Sequence, residues 1–298
     1  LFHWVTKGMV PVFLGSSFAF IAPIIEATRL YGFAGTLSGI IAVGLVYGIM
    51  SVLVKTRGIS FIEKVFPSVV VGPVIMVIGL SLASKGVELA KNDWLLASVS
   101  LGVALVVVVF MRGMLKLIPV FLVIIVGYVV ALFLGKVDFT SVTNAAWFSL
   151  PSFTKPELHW AAIIYMIPVA IAPVIEHIGD MYAIGAVTEK NFVREPGLHR
   201  TMLGDGIATS LAGFLGSVPN TTYSEVTGAI SLTKVTNPLV LRLSAIIAIL
   251  FSLVGKISGF LKSIPSSILG GIMLLLFGMI ASVGIKTLMD SAVSLDKT

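Results

Sequence analysis

From Pro11 to Leu288 the chain alternates long apolar runs with short loops in which most Lys and Arg residues collect. A membrane span needs about 20 mostly apolar residues. In hydrocarbon every backbone N–H and C=O must be satisfied inside the protein, so runs of this length fold as helices. Composition agrees: the chain is 57% hydrophobic and 11% charged, against roughly 25% charged in a soluble domain. The formal charge of +6 sits in loops rather than in a basic stripe with interleaved aromatics, which argues against nucleic acid as a partner. Cysteine is absent, so there are no disulfides and no thiolate metal sites. The four His are scattered without ligand spacing, and no Gly-rich phosphate loop precedes a Lys. No metal, cofactor or ATP-driven chemistry is expected.

The runs predict a broken span over Pro11–Leu30, then spans over Phe33–Val54, Val65–Ala83, Trp94–Met111 and Leu117–Leu134. A polar connection follows over residues 135–159. Further spans cover Trp160–Val187, Leu198–Leu215, Pro219–Leu232 (also broken), Leu239–Val254 and Ile264–Leu288. One alternating set of loops holds Lys55, Arg57, Lys64, Arg112, Lys116, Lys190, Arg194, Arg200 and Lys234. The other set mixes fewer basic residues with Glu88, Asp93, Asp138 and Glu157. The first set is therefore cytoplasmic. Leu1–Thr6 reads as the tail of an earlier span with no signal peptide before it, and residues 295–298 as a polar loop, so the chain reads as a fragment of a longer protein.

Phe13-Leu14-Gly15-Ser16 recurs as Phe214-Leu215-Gly216-Ser217. Lys64, Pro67, Ser68 and Gly72 recur, at nearly the same offset, as Lys262, Pro265, Ser266 and Gly270. Equivalent spans then stand seven apart, an odd number that inverts one half relative to the other. Inverted repeats with broken spans are one transporter architecture.

Each half carries a break after its Phe-Leu-Gly-Ser: residues 15–20, and Pro219–Ser224 with a helix starting near Glu225. Both expose backbone N–H groups at a helix N-terminus, where carbonyl oxygens or anions are well received. A Ser/Gly packing motif is the alternative reading of the first break. Glu225 closes the polar run Gly216–Glu225 between apolar segments, and an ionisable side chain there marks a functional site. Glu176 and Asp180 are four residues apart and share a helix face. Two acids deep in an apolar run suit proton coupling, with a satisfied polar cluster as the alternative. His177 points about 100° from Glu176 and reads as a packing or interfacial residue. Asp205 is a further buried acid, read first as a cap or bridge and second as tuning the site. Glu26 and Arg29 are spaced to pair along a helix.

At LGSSFAFIAP from Leu14, EHIG from Glu176, the loop Glu195–Arg200 and GSVPNTTYSE ending at Glu225, the chain resembles the nucleobase–ascorbate transporter family, also called nucleobase:cation symporter-2. Within it the resemblance is to bacterial uracil permeases. It implies an all-α polytopic fold of fourteen spans in two inverted seven-span repeats, divided into core and gate domains. The chain would run from the end of span two to span twelve. Residues 1–57 and 160–258 would belong to the core, 58–135 and 259–298 to the gate, and 136–159 to a connecting loop. By motif position, Glu176 and Glu225 would accept N–H bonds from the pyrimidine. The amides of Phe18 and Ser224 would donate to its carbonyls, with Tyr223 nearby. Glu176, Asp180 and Asp205 would serve proton coupling. Three positions bear on which branch this is. Asp180 stands where uracil permeases often have His, and Phe277 where a Tyr is often found. Glu225-Val226 stands where xanthine and urate carriers place Gln-Asn. The resemblance thus implies a proton-coupled uracil symporter of the inner membrane, not an enzyme, partnered by uracil or a related nucleobase, protons, the lipid bilayer and, as a homodimer, a second copy. The rivals are a xanthine or purine permease, an anion transporter of the same fold, and an intramembrane aspartyl protease using Asp180 and Asp205.

Overall fold

A computed structural model describes residues 1–290, except 59, 62, 63, 65 and 66. Val65, where the third span was expected to begin, and the polar end Leu295–Thr298 lie outside the described residues. The elements are α1 (Phe2–Val5), β1 (Leu14–Ser16), α2 (Ile21–Arg57), α3 (Ser68–Ala90), α4 (Trp94–Phe110), α5 (Pro119–Phe133), α6 (Thr140–Thr143), α7 (Trp160–Met166), α8 (Ile171–Thr188), α9 (Leu198–Phe214), β2 (Asn220–Thr222), α10 (Ser224–Thr233), α11 (Pro238–Ser252), α12 (Gly255–Ser263) and α13 (Ser266–Asp290). Short 3-10 turns lead into α2 at Phe18–Phe20 and join α7 to α8 at Ile167–Ala170.

Among the described residues, four stretches are long and apolar enough to cross a membrane: Phe18–Arg57, Gly72–Ala90, Trp160–Thr188 and Ser266–Lys286. The first has 40 residues. If straight it would reach about 60 Å, twice the hydrocarbon thickness of about 30 Å. It is not straight: Gly32 has φ 71 and ψ 161 inside it. L residues rarely adopt that conformation, so a glycine stands where one span turns into the next. Along the second half of α2, Leu45, Ile49 and Val52 are 61%, 60% and 58% exposed. Their spacing puts them on one face, an apolar stripe suited to lipid. The protein is a helical, multi-pass membrane protein.

Contacts divide the described residues into two units, each with its own core. The first gathers Leu1–Val74 and Ser152–Ala245 around Phe20, Leu37, Ile40, Tyr47, Met166, Met181 and Ile184. Here α2 and α9 pack backbone to backbone. A β-carbon on Gly206 would lie 2.7 Å from the Gly44 carbonyl oxygen, so no larger residue fits. Helices also meet within this unit through side chains: Ser51 Oγ of α2 donates to His199 O of α9 at 2.5 Å, and Arg200 Nη1 of α9 to Val5 O of α1 at 3.4 Å. Glu157 N of the connection before α7 donates to Ala34 O of α2 at 2.9 Å. Arg29 and Glu26 pair at 2.5 Å as their spacing foretold.

The second unit, Ile75–Pro151 with Ile246–Lys286, has a core of Leu96, Val123, Tyr128, Ile268 and Ile272. Asp93 caps α4, accepting from Leu95 N at 3.1 Å and Leu96 N at 3.2 Å, and it pairs with Lys136. Those partners hold its carboxyl below the usual range, the Lys136 hydrogen bond most of all. The packed parts of α3 and α13 run antiparallel: Gly79 meets Phe277 and Ala281, Gly86 meets Leu274, and Gly270 meets Ala90.

Two sequence expectations need correction. Residues 255–263, which fall between two expected spans, form the helix α12. Its buried face is Gly255, Gly259 and Ser263, too small and polar to register as an apolar stripe. The repeated Phe-Leu-Gly-Ser also occupies unlike places. In the first half Leu14–Ser16 are β1 itself. In the second, Phe214 ends α9, and Gly216 turns the chain with φ 76. The second strand lies just beyond, at Asn220–Thr222.

Candidate functional site

The two breaks meet. β1 and β2 pair antiparallel, Leu14 opposite Thr222, Gly15 opposite Thr221 and Ser16 opposite Asn220. The ribbon is extended at both ends: Tyr223 N donates to Phe13 O and Ser17 N to Pro219 O, each at 3.0 Å. Unwound backbone at membrane depth must have its polar groups satisfied, and here each break satisfies the other. Thr209 of α9 adds its Oγ1, which accepts from Asn220 N at 3.2 Å. Each strand runs straight into a helical start, Phe18 after β1 and Ser224 at the head of α10. The first amides of a helix have no intrahelical acceptor, which applies to those of Phe18 and Ser224. α10 has ten residues, about 15 Å of helix, half of a full crossing.

Tyr223 sits over the ribbon. Its hydroxyl donates to Ser16 O at 3.2 Å, and its ring occupies the space a β-carbon on Gly15 would need. α8 brings the acids. Glu176 keeps an exposed side chain. Asp180, one turn on, is buried. Its Oδ2 accepts from Thr222 Oγ1 and its Oδ1 from Ser224 Oγ, each at 2.5 Å. Glu225, the second residue of α10, is exposed. Asp180, Glu225 and, least strongly, Asp205 lie within electrostatic reach of Glu176.

The predicted residues therefore fall into two groups. Glu176, Asp180, Phe18, Tyr223, Ser224 and Glu225 gather around the crossing in the first unit. Asp205 is set apart on the His177 side of α8. Asp205 Oδ2 and His177 Nδ1 stand 3.1 Å apart, both fully buried. The approach lacks the alignment of a hydrogen bond. Tyr47 and Phe2 meet the His177 ring edge-on, each with centroids 6.4 Å away. His177 is thus a packed core residue and not an interfacial one, and Asp205 bridges α9 to α8. Sequence reasoning missed Thr222 and Thr209, whose hydroxyls tie the second break to α8 and α9. A Thr-rich run beside a buried acid is the signal that was there to read. Among the described residues no group of acids and His is arranged to hold a metal ion.

Two interrupted spans crossing beside carboxylates in a lipid-embedded helical body define a membrane carrier. Comparison with known proteins agrees. Residues 1–297 match the model of the Permease family. A probable uracil permease of Pasteurella multocida (strain Pm70) is 50% identical over 302 residues, covering 98% of this chain and 72% of that protein. The uracil permease of Bacillus caldolyticus is 43% identical, covering 100% of the chain and 72% of the relative. That of Escherichia coli (strain K12) is 36% identical with the same coverage. Among solved structures, the transmembrane domain of a cyanobacterium bicarbonate transporter, BicA, superposes with a TM-score of 0.67. It does so at 13% identity, over 95% of this chain and 83% of that one, a likeness of fold alone. The chain belongs to the permease family expected from its motifs, and it is a transporter rather than an enzyme.

Proposed function

We propose that this carrier moves uracil across the inner membrane together with protons. The observation that carries the reading is the crossing of the two breaks beside Glu176 and Glu225. Uracil is a planar ring with N–H donors and C=O acceptors. Two carboxylates and two free amides, of Phe18 and Ser224, complement it, and charge-assisted bonds to carboxylates are the stronger kind. Tyr223 closes the site beside the ring. The names of the relatives support uracil as the cargo. Glu176 takes the coupled proton, with Asp180 and Asp205 as the acids around it, and its protonation is linked to substrate binding.

Transport proceeds by alternating access. The unit of residues 1–74 and 152–245 acts as the core and the unit of residues 75–151 and 246–286 as the gate, working in a homodimer. The antiparallel approach of α3 and α13 supports a pair of inverted repeats, because Pro67-Ser68 and Pro265-Ser266 open the two helices at equivalent places.

The test is uracil titration of the full-length protein by calorimetry. Glu225→Gln should lose high-affinity binding, weakening it by at least about tenfold, since a bond to a charged group contributes about 1.5–3 kcal/mol. Unchanged binding would overturn the assignment. Xanthine transport is the second reading, favoured by Asp180, an acid shared with the purine branch. Uptake of labelled uracil in competition with xanthine separates the two. An anion transporter of the same fold is disfavoured, because acids rather than basic residues stand at the breaks.

A further inference from the structure

Resting on the reading above, we propose that Asp180 is a positioning residue. It clips α8 to the second break, so that Glu176 and Glu225 face the cargo as one rigid unit, and it does not itself carry the coupled proton. Thr222 and Ser224 flank Tyr223 at the point where β2 becomes α10. Both hydroxyls donate to the same carboxylate at 2.5 Å. Thr222 is the last residue of the ribbon and Ser224 the first of the helix, so one side chain fixes the angle between them. With both oxygens accepting, Asp180 shows the hydrogen-bonding pattern of an ionised carboxyl, and the positive end of α10 stands beside it. Glu176 is one turn away on the same face and has no such donors among the described residues. The two acids therefore divide the work: Glu176 is exposed, and Asp180 is buried and spent on the scaffold. The groups facing Asp180 are Glu176, Glu225, His177, Tyr47, Thr222 and Ser224, and none of them is a Lys or Arg.

The experiment uses the full-length protein with Asp180→Asn, Asp180→Ala, Thr222→Val and Ser224→Ala. Uracil uptake is measured for KM and Vmax across pH, and thermal unfolding is measured without substrate. An amide accepts from one hydroxyl and donates to the other, so Asp180→Asn should keep the pH profile of uptake. Asp180→Ala should raise KM by about tenfold or more, the loss expected for hydrogen bonds to a charged group. In unfolding, Asp180→Ala and Thr222→Val should be strongly non-additive when combined. A flattened pH profile in Asp180→Asn would make Asp180 the proton carrier and overturn the proposal, as would additive unfolding shifts. The unfolding cycle needs no cargo. If the wild-type protein fails to bind uracil while the cycle remains non-additive, the assigned cargo falls and the clip stands.

Discussion

At Gly15 an added β-carbon would lie 2.2 Å from Tyr223 Cζ, closer than any real contact. The tyrosine ring cannot retreat freely, because its hydroxyl is bonded to Ser16 O. Gly15→Ala should therefore open the ribbon or expel the ring, at a cost of about 1–3 kcal/mol. Loss of thermal stability together with weakened uracil binding would show it, and a variant that binds and melts like the parent would refute it. The sequence marked Gly15 as lying in a break without revealing why it must be glycine, since the reason is a residue more than two hundred positions away. The same limit explains the reading of His177. Its angular distance from Glu176 was legible from helical geometry. The carboxylate it faces, Asp205, comes from another helix, and only packing brings the two together. Glu176, Glu225 and Asp180 were legible because charge in an apolar run is conspicuous whatever the fold.

At the scale of elements, long apolar helices and both broken spans could be read from hydropathy and punctuation by Gly and Pro. α12 could not, because it buries Gly and Ser and turns Phe260 and Leu261 outward, at 40% and 54% exposure. The start of α4 is open to a pH test. Asp93 has its folded carboxyl held below the ordinary value, chiefly by Lys136. The stability it adds is therefore present above the unfolded value of about 4, and is lost as pH falls through the lower folded value. Hydrogen exchange at Leu95 and Leu96 should accelerate as pH falls below about 4, after correction for intrinsic rates. Asp93→Ala should cost about 0.5–2 kcal/mol at neutral pH. Exchange at these amides that matches the parent's would exclude the cap.

At the scale of the whole molecule, loop charge assigns one face of the membrane to Asn191 and the other to Lys155. The chain contains no Cys, so a single introduced thiol reports without background from these residues. Asn191→Cys should react with an impermeant maleimide only when the cytoplasmic face is opened, and Lys155→Cys from the outside of intact cells. The reverse pattern would invert the assigned topology. Uptake should also collapse when the proton gradient is dissipated, and persistence of concentrative uptake would remove proton coupling from the mechanism.

The ribbon joining the two interrupted spans is stitched by main-chain groups, with side chains deciding only a few of its positions, Gly15 among them. On the proposed site, descendants of such a chain could exchange the residues that open each half-helix, and with them the preferred cargo, while inheriting the same stitched frame. A change of diet in this lineage then requires edits at a few helix beginnings rather than a new architecture.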